Sequence, residues 1–256
     1  MGKIDNIFNE YKDTEKFKVL PLFHRYQKAD LKKKHRTLGD AGFQRGFRQN
    51  AFSQEDVTFK HVHQGIRLDI GQDIINTNSM VFFGGVDIST SKRPGNVMFT
   101  LGVDQQGIRY KAELIRGKFS SPEFASKIFA SYEFYKHQVI LVENNAVQEM
   151  LIDWLGYNAR YINFQGFHTG KQKMNPDIGL PSLDVEFQNN MWVFPCRDFA
   201  DHDHVNCDCN ECTFLKEFEH HPHYGTSDIV MASWFAREAV RKYWNTGFIV
   251  ESGEFV

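Results

Sequence analysis

Two apolar runs in this chain end on a carboxylate. Val81-Phe82-Phe83-Gly84-Gly85-Val86-Asp87-Ile88 carries Asp87, and Val139-Ile140-Leu141-Val142-Glu143 closes on Glu143. Unbroken apolar runs of this length suit strands covered on both faces. A carboxylate at the end of a buried strand is costly to desolvate unless something pairs with it. A third acid, Asp228, opens the amphipathic segment Asp228-Ile229-Val230-Met231-Ala232. Each has a bland reading when taken alone. Asp228 suits a helix N-terminus, worth about 0.5–1 kcal/mol, and Glu143 suits a strand end facing water. Asp87 is harder to dismiss, because Gly84-Gly85 precedes it and Ser89-Thr90 follows it in a tight, polar exit. Together, three such acids from distant parts of the chain suggest a shared metal site, and all-oxygen ligands suit Mg²⁺ or Mn²⁺.

The intervening pattern predicts how they meet. Met80 to Ser89 reads as a strand, 96–102 as a second, and Ile108 to Ile115 as a third, with Asp104-Gln105-Gln106-Gly107 as a turn between the last two. Ser120, Pro122 and Glu123 form a helix-start signature, and Phe124, Ile128, Tyr132 and Tyr135 supply the core stripe of that helix. His137 to Glu143 follows as a strand, Asn145 to Leu155 as a helix, and Ala159 to Phe164 as a strand. An irregular region spans 165–225, and a final helix runs from about Ser227 to Trp244, capped by Ser227 or Thr226. Three antiparallel strands followed by alternating helix and parallel strand is the RNase H-like order, an α/β fold with a mixed central sheet flanked by helices. In that topology Asp87 and Glu143 are neighbours, and the closing helix brings Asp228 to them.

Composition narrows the function classes. The formal net charge is −2, so a nucleic-acid partner must rest on a local patch. One exists. Between Arg25 and Arg48 eight basic residues, including Lys32, Lys33, Lys34 and Arg36, face only Asp30 and Asp40. This is a solvated helix face or an arm that contacts phosphates. No apolar run approaches the roughly 20 residues of a membrane span, and the polar N-terminus is not a secretory signal. A soluble, intracellular protein is expected.

All four cysteines fall in one stretch, Cys196, Cys207, Cys209 and Cys212, together with His202 and His204. That clustering is unlike a disulfide framework. Four such ligands suit a closed zinc tetrahedron, although Cys-x-Cys-x-x-Cys is not a standard finger spacing. The alternative is a polar loop with reduced thiols. His220, His221 and His223 lie just before Asp228, either solvated or beside the site.

Residues 81–244 resemble the nuclease domain of the large terminase subunit of tailed phages. The matching pieces are Gly85-Val86-Asp87-Ile88-Ser89, Val142-Glu143-Asn144-Asn145 and Gly225-Thr226-Ser227-Asp228-Ile229-Val230-Met231-Ala232. The stretch from His35 through Phe59 is similar to the connector that precedes this domain. The resemblance implies residues 1–79 as a basic extension and connector, and 80–256 as the nuclease domain with a Cys/His-rich insertion at 196–212. It further implies a metal-dependent endonuclease that cuts concatemeric viral DNA during genome packaging, with Asp87, Glu143 and Asp228 as catalytic ligands of two Mg²⁺ or Mn²⁺ ions. Lys171 and Lys173 fall where the family often forms a hairpin beside the site, and are candidate contacts to the DNA backbone. The implied partners are double-stranded DNA, a terminase ATPase domain, the portal protein and the small terminase subunit, in the cytoplasm of an infected bacterium and with no membrane role.

Two features depart from the family. Many members carry paired acids at the last motif, where this chain has Ser227 before Asp228. No Gly-x-x-x-x-Gly-Lys-Ser/Thr phosphate loop occurs, so a motor fragment or one product of a split gene is expected. The competing readings are a Holliday-junction resolvase or transposase-like nuclease of the same fold, and a DNA-binding or motor-docking module with weakened catalysis, which Ser227 favours.

Overall fold

Alternation along the strands decides how the sheet is covered. A computed structural model describes residues 33–34, 36–37, 57–88, 95–143, 162–175, 177–204 and 206–244. The chain divides into two units, Met1–Val57 and Thr58–Val256. In the first, Lys33, Lys34, Arg36 and Thr37 are helical and exposed, and the Thr37 hydroxyl donates to the Lys33 carbonyl at 2.9 Å. Lys32 and the connector residues 38–56 lie outside the described residues.

The second unit carries a seven-stranded sheet. Its strands are β1 (Ile66–Arg67), β2 (Val81–Asp87), β3 (Asn96–Val103), β4 (Arg109–Gly117), β5 (Val139–Glu143), β6 (Phe164–Phe167) and β7 (Trp192–Pro195), in the order β1-β7-β4-β3-β2-β5-β6. β2, β3 and β4 form the expected antiparallel meander. β5 lies parallel to β2, with Val86 opposite Val142, and β6 lies parallel to β5. On the other side β7 runs parallel to both β4 and β1. The described helices are α1 (Ser121–Tyr135), α2 (Leu180–Gln188), α3 (Asn210–His220) and α4 (Asp228–Tyr243).

The local signals at the meander and α1 hold. Asp104 is a turn residue: its Oδ1 accepts from the Gln106 and Ile108 amides at 2.9 Å, while Gly107 takes a φ of 82° that favours glycine. Ser120 and Glu123 close a reciprocal capping box at the start of α1.

Two expectations need correction. The strand expected at 159–164 is β6, Phe164–Phe167, and residues 159–161 lie outside the described residues, as does the helix expected at 145–155. The region 165–225 is not irregular, since it holds part of β6 and all of α2, β7 and α3. These pieces are short and owe their structure to distant contacts. Phe187 of α2 packs edge-on against Phe59, Trp192 and Phe194, at ring separations of 5.9, 5.4 and 5.7 Å. A guanidinium also ties α2 to α4, with Arg237 Nε 2.7 Å from Glu186 Oε1.

Two apolar layers result. On one face Val86, Met98, Ile140 and Val142 pack against Phe124, Ala125 and Ile128 of α1. On the other, Phe83, Phe99, Val139 and Leu141 pack against Ile229, Ala232, Phe235 and Ala236 of α4. Successive residues of a strand point to opposite faces. Asp87 therefore shares its face with Phe83 and Gly85, and Glu143 shares its face with Val139 and Leu141. Both carboxylates lie on the α4 side.

A buried imidazole gives this core a pH dependence. His137 sits beneath α1 with Nε2 3.0 Å from Thr100 Oγ1. Burial pushes its pKa from 6.5 down to about 3. The folded state therefore holds it neutral while the unfolded chain protonates it below pH 6.5, so stability is lost as pH falls from 6.5 toward 3. His137→Gln keeps a hydrogen-bonding group that does not titrate. Urea unfolding should show wild type losing about 2–3 kcal/mol more than this variant between pH 7 and pH 4.5; parallel losses would contradict the assignment.

Candidate active site

β2 and β5 deliver their terminal carboxylates side by side, one residue beyond the Val86–Val142 pair. α4 crosses the same face and begins at Asp228. Its close approach depends on Gly85: a Cβ there would lie 2.0 Å from the Ala232 carbonyl oxygen and 2.4 Å from the Ala236 nitrogen. The small residues Ala232 and Ala236 complete the fit, so the helix lies directly on β2.

The electrostatics couple the three acids. Asp87 is buried, and desolvation is the main reason its carboxyl is held well above the usual range. The negative charges of Asp228 and Glu143 add to this effect, Lys173 opposes it, and Glu217 adds a further push. The three carboxylates expected to act together thus share one electrostatic neighbourhood, with an ammonium beside them. Lys173 lies on a short 3₁₀ turn, Gly170–Met174, which also contains Lys171. Thr169, just before that turn, donates its hydroxyl to Glu143 Oε1 at 3.1 Å.

Glu217 was not anticipated. It is fully buried on α3, and its two oxygens are both engaged with the start of α4. Oε1 accepts from the Val230 amide and Oε2 from the Thr226 hydroxyl, each at 2.9 Å. Burial raises its pKa, and those hydrogen bonds pull it back down. With its oxygens facing α4's first turn, Glu217 fixes the start of the helix that opens at Asp228. It brings a fourth carboxylate into the electrostatic neighbourhood of Asp228. The available signal was an acid among Phe214, Leu215 and Phe218 on one helix. Glu217→Ala should cost about 2–4 kcal/mol, because the buried Val230 amide loses its acceptor and a cavity opens. Glu217→Gln keeps an acceptor and should melt close to wild type; equal destabilisation by both would mean the hydrogen bonds are not what the site needs.

Of the three nearby histidines, His221 is the one packed inside. Its Nδ1 is 2.9 Å from Thr58 Oγ1 and its ring lies 5.3 Å from that of Phe59. Burial, with help from Lys173 and His223, lowers its pKa to about 4. His220 donates from Nδ1 to the Lys216 carbonyl at 2.8 Å.

The soft-ligand cluster forms a separate group. Among the described residues, His202, Cys207, Cys209 and Cys212 are the metal-capable side chains whose ligand atoms all lie within 4.8 Å of one another. Cys196 stays out of this group, buried just past β7, and His204 lies outside it as a neighbour, its Nδ1 3.1 Å from Cys212 Sγ and its ring 6.4 Å from that of His202.

No protein-family model matches the chain, and no curated protein is similar to it in sequence. Solved structures share its fold. The large terminase nuclease from thermophilic phage G20c with bound magnesium aligns at a TM-score of 0.51 and 17% identity, over 71% of this chain and 96% of that one. The same nuclease with bound zinc gives 0.50 and 19%, over 71% and 97%. The human cytomegalovirus terminase nuclease domain gives 0.51 and 13%, over 72% and 94%. At these identities the likeness is one of fold, and the chain has the RNase H-like α/β fold of terminase nuclease domains.

Proposed function

We propose that this chain is a metal-dependent DNA endonuclease with Asp87, Glu143 and Asp228 as its centre, and that it cuts concatemeric viral DNA during genome packaging. The observation that carries this reading is that Asp87 and Glu143 close adjacent parallel strands on the face that α4 covers, while Asp228 opens that helix and its charge bears on the buried Asp87 carboxyl. Burying like charges together is unfavourable unless a cation offsets them. The donors are all hard oxygens, which fit Mg²⁺ or Mn²⁺. Bound divalent cations supply Lewis-acid stabilisation of charge on the phosphoryl group undergoing hydrolysis.

The chain's own residues would arrange that chemistry. Asp87, the most buried of the three acids and the one whose charge both others oppose, would be the ligand shared by the ions. Thr169 fixes the Glu143 carboxylate through its hydroxyl, and Glu217 fixes the turn from which Asp228 projects. Lys173 brings positive charge to the same neighbourhood, suited to the scissile or an adjacent phosphate. Lys171, and the basic segment with Lys32, Lys33, Lys34 and Arg36, would add backbone contacts that carry no sequence preference. The packaging role, with an ATPase domain, portal and small subunit as partners in an infected bacterium, is supported by the shared terminase fold. Among the described residues no helix is long and apolar enough to cross a membrane.

Supercoiled plasmid tests the proposal. The full chain should nick and linearise it in Mn²⁺ or Mg²⁺ and leave it intact in EDTA. Intact plasmid in every metal would overturn the enzymatic reading and favour a DNA-binding module. Cutting confined to four-way junctions would favour a resolvase.

A further inference from the structure

We propose that His202, Cys207, Cys209 and Cys212 bind one structural zinc ion, which fastens the 196–212 insertion to the first turn of α3. These four side chains are distinct from the carboxylate site, and a zinc ion held by them would be present whether or not the chain cleaves DNA.

The geometry around one nitrogen carries it. His202 Nδ1 lies 3.7 Å from Cys207 Sγ, 3.4 Å from Cys209 Sγ and 3.6 Å from Cys212 Sγ. A ring nitrogen has one proton to give or one lone pair to offer. It cannot make three hydrogen bonds, so three sulfurs nearly equidistant from it need another explanation. Tetrahedral zinc with Zn–S near 2.3 Å and Zn–N near 2.0–2.1 Å requires S···N edges of about 3.6 Å. The three observed spacings are edges of that tetrahedron.

The surroundings suit a charged thiolate centre. Cys209 is the N-cap of α3, and the Cys212 amide donates to its sulfur at 3.4 Å. A helix N-terminus favours negative charge on such a sulfur. His204 Nδ1 lies 3.1 Å from Cys212 Sγ, placed to donate to it. Lys216 Nζ donates to the Cys207 carbonyl at 2.8 Å, so a cation braces the same loop. The His202 ring rests edge-on against Phe199 at 5.5 Å. Three sulfurs and an imidazole select a soft or borderline ion over Mg²⁺ or Ca²⁺. With four protein ligands the coordination sphere is closed, which marks a structural site.

The position gives the site a purpose. α3 starts at the zinc ligands and carries Glu217 further along, where Glu217 grips the first turn of α4. Near its start the helix is also held by Glu211, whose Oε2 is 2.6 Å from the buried Lys111 ammonium. Zinc would be the second anchor at that end, and would keep the Glu217 helix seated on the sheet.

The test uses the full chain, purified without a polyhistidine tag or chelator and under reducing conditions. Elemental analysis should find one zinc per chain. Cobalt added to the zinc-stripped chain should give, at one equivalent, the visible bands of tetrahedral Co²⁺ with thiolate-to-metal charge transfer, and zinc should displace it. Asp87→Asn should retain its zinc, whereas Cys207→Ser combined with Cys209→Ser should lose it. Substoichiometric zinc together with a cobalt spectrum lacking thiolate bands would overturn the proposal without needing any variant. So would zinc that is lost from Asp87→Asn and kept by the cysteine variant.

Discussion

Asp87→Asn should abolish metal-dependent DNA cleavage while leaving the fold as stable as wild type or more so. On the proposed reading the variant loses a central ligand and with it several kcal/mol of transition-state stabilisation, so the rate should fall by about 10²–10³-fold or more. The stability effect has the opposite sign, for a reason visible in the site. Burial and two neighbouring carboxylates hold the Asp87 carboxyl well above its usual value of 3.8. Without metal the folded state gives up that proton less readily than the unfolded chain. The folded state therefore loses stability as pH rises from about 4 toward the raised pKa. Asn has no proton to lose. The melting temperature of the metal-free variant should match or exceed wild type at pH 7, and the gap should close near pH 4. Added Mn²⁺ should raise the wild-type melting temperature and leave the variant unmoved. A variant that melts well below wild type at pH 7 would mean that Asp87 is held by contacts that favour its charge.

Gly85→Ala should be the most damaging glycine-to-alanine change among the described residues. The new Cβ would meet the Ala232 carbonyl oxygen at 2.0 Å, the Ala236 nitrogen at 2.4 Å and Phe235 Cβ at 3.0 Å. Two of these are helix backbone, which cannot swing aside as a side chain does. Either α4 lifts off β2 or the strand bends. Overpacking usually costs about 1–3 kcal/mol; against backbone on a fully buried face, about 3 kcal/mol or more is expected. That corresponds to a fall of roughly 6–12 °C in melting temperature for a domain of this size. The same shift would carry Asp228 away from Asp87 and Glu143, so cleavage should fall too, even well below the melting transition. Gly84→Ala is a useful contrast, because the nearest atoms to its Cβ all belong to the Ile140 side chain, the closest at 2.9 Å. Equal melting temperatures for Gly85→Ala and wild type would contradict the packing described.

What could be read from the sequence followed from how local the forces are. Asp87 and Glu143 stood out because each closes an apolar run, and strand alternation then put both on one face. The capping box at Ser120 and Glu123 and the turn at Asp104 are decided within a few residues, and both formed as expected. Trp192–Pro195 is too short to show a period, and it becomes a strand because β4 and β1 flank it. β1 is only two residues long, paired with β7 across more than a hundred positions of sequence. α2 offers just Leu180, Leu183 and Phe187 as its buried apolar stripe, and aromatic packing with Phe59, Trp192 and Phe194 completes it. Glu217 was illegible for a similar reason. An acid in an apolar stripe can be seen in sequence, but its partners, Val230 and Thr226, are set by how α3 and α4 meet. In the Cys/His stretch the ligand types were evident, while the choice of His202 over Cys196 and His204 required the fold.

Manganese binding to wild type and to Asp87→Asn, measured by calorimetry on the zinc-replete chain without DNA, tests the central claim most directly. Soft-ligand sites are then filled, so the titration reads the oxygen site alone. Wild type should take up Mn²⁺ with a saturable heat signal, competed by Mg²⁺, and Asp87→Asn should show little or none. Equal uptake by the two chains would contradict a metal centre built on Asp87, Glu143 and Asp228.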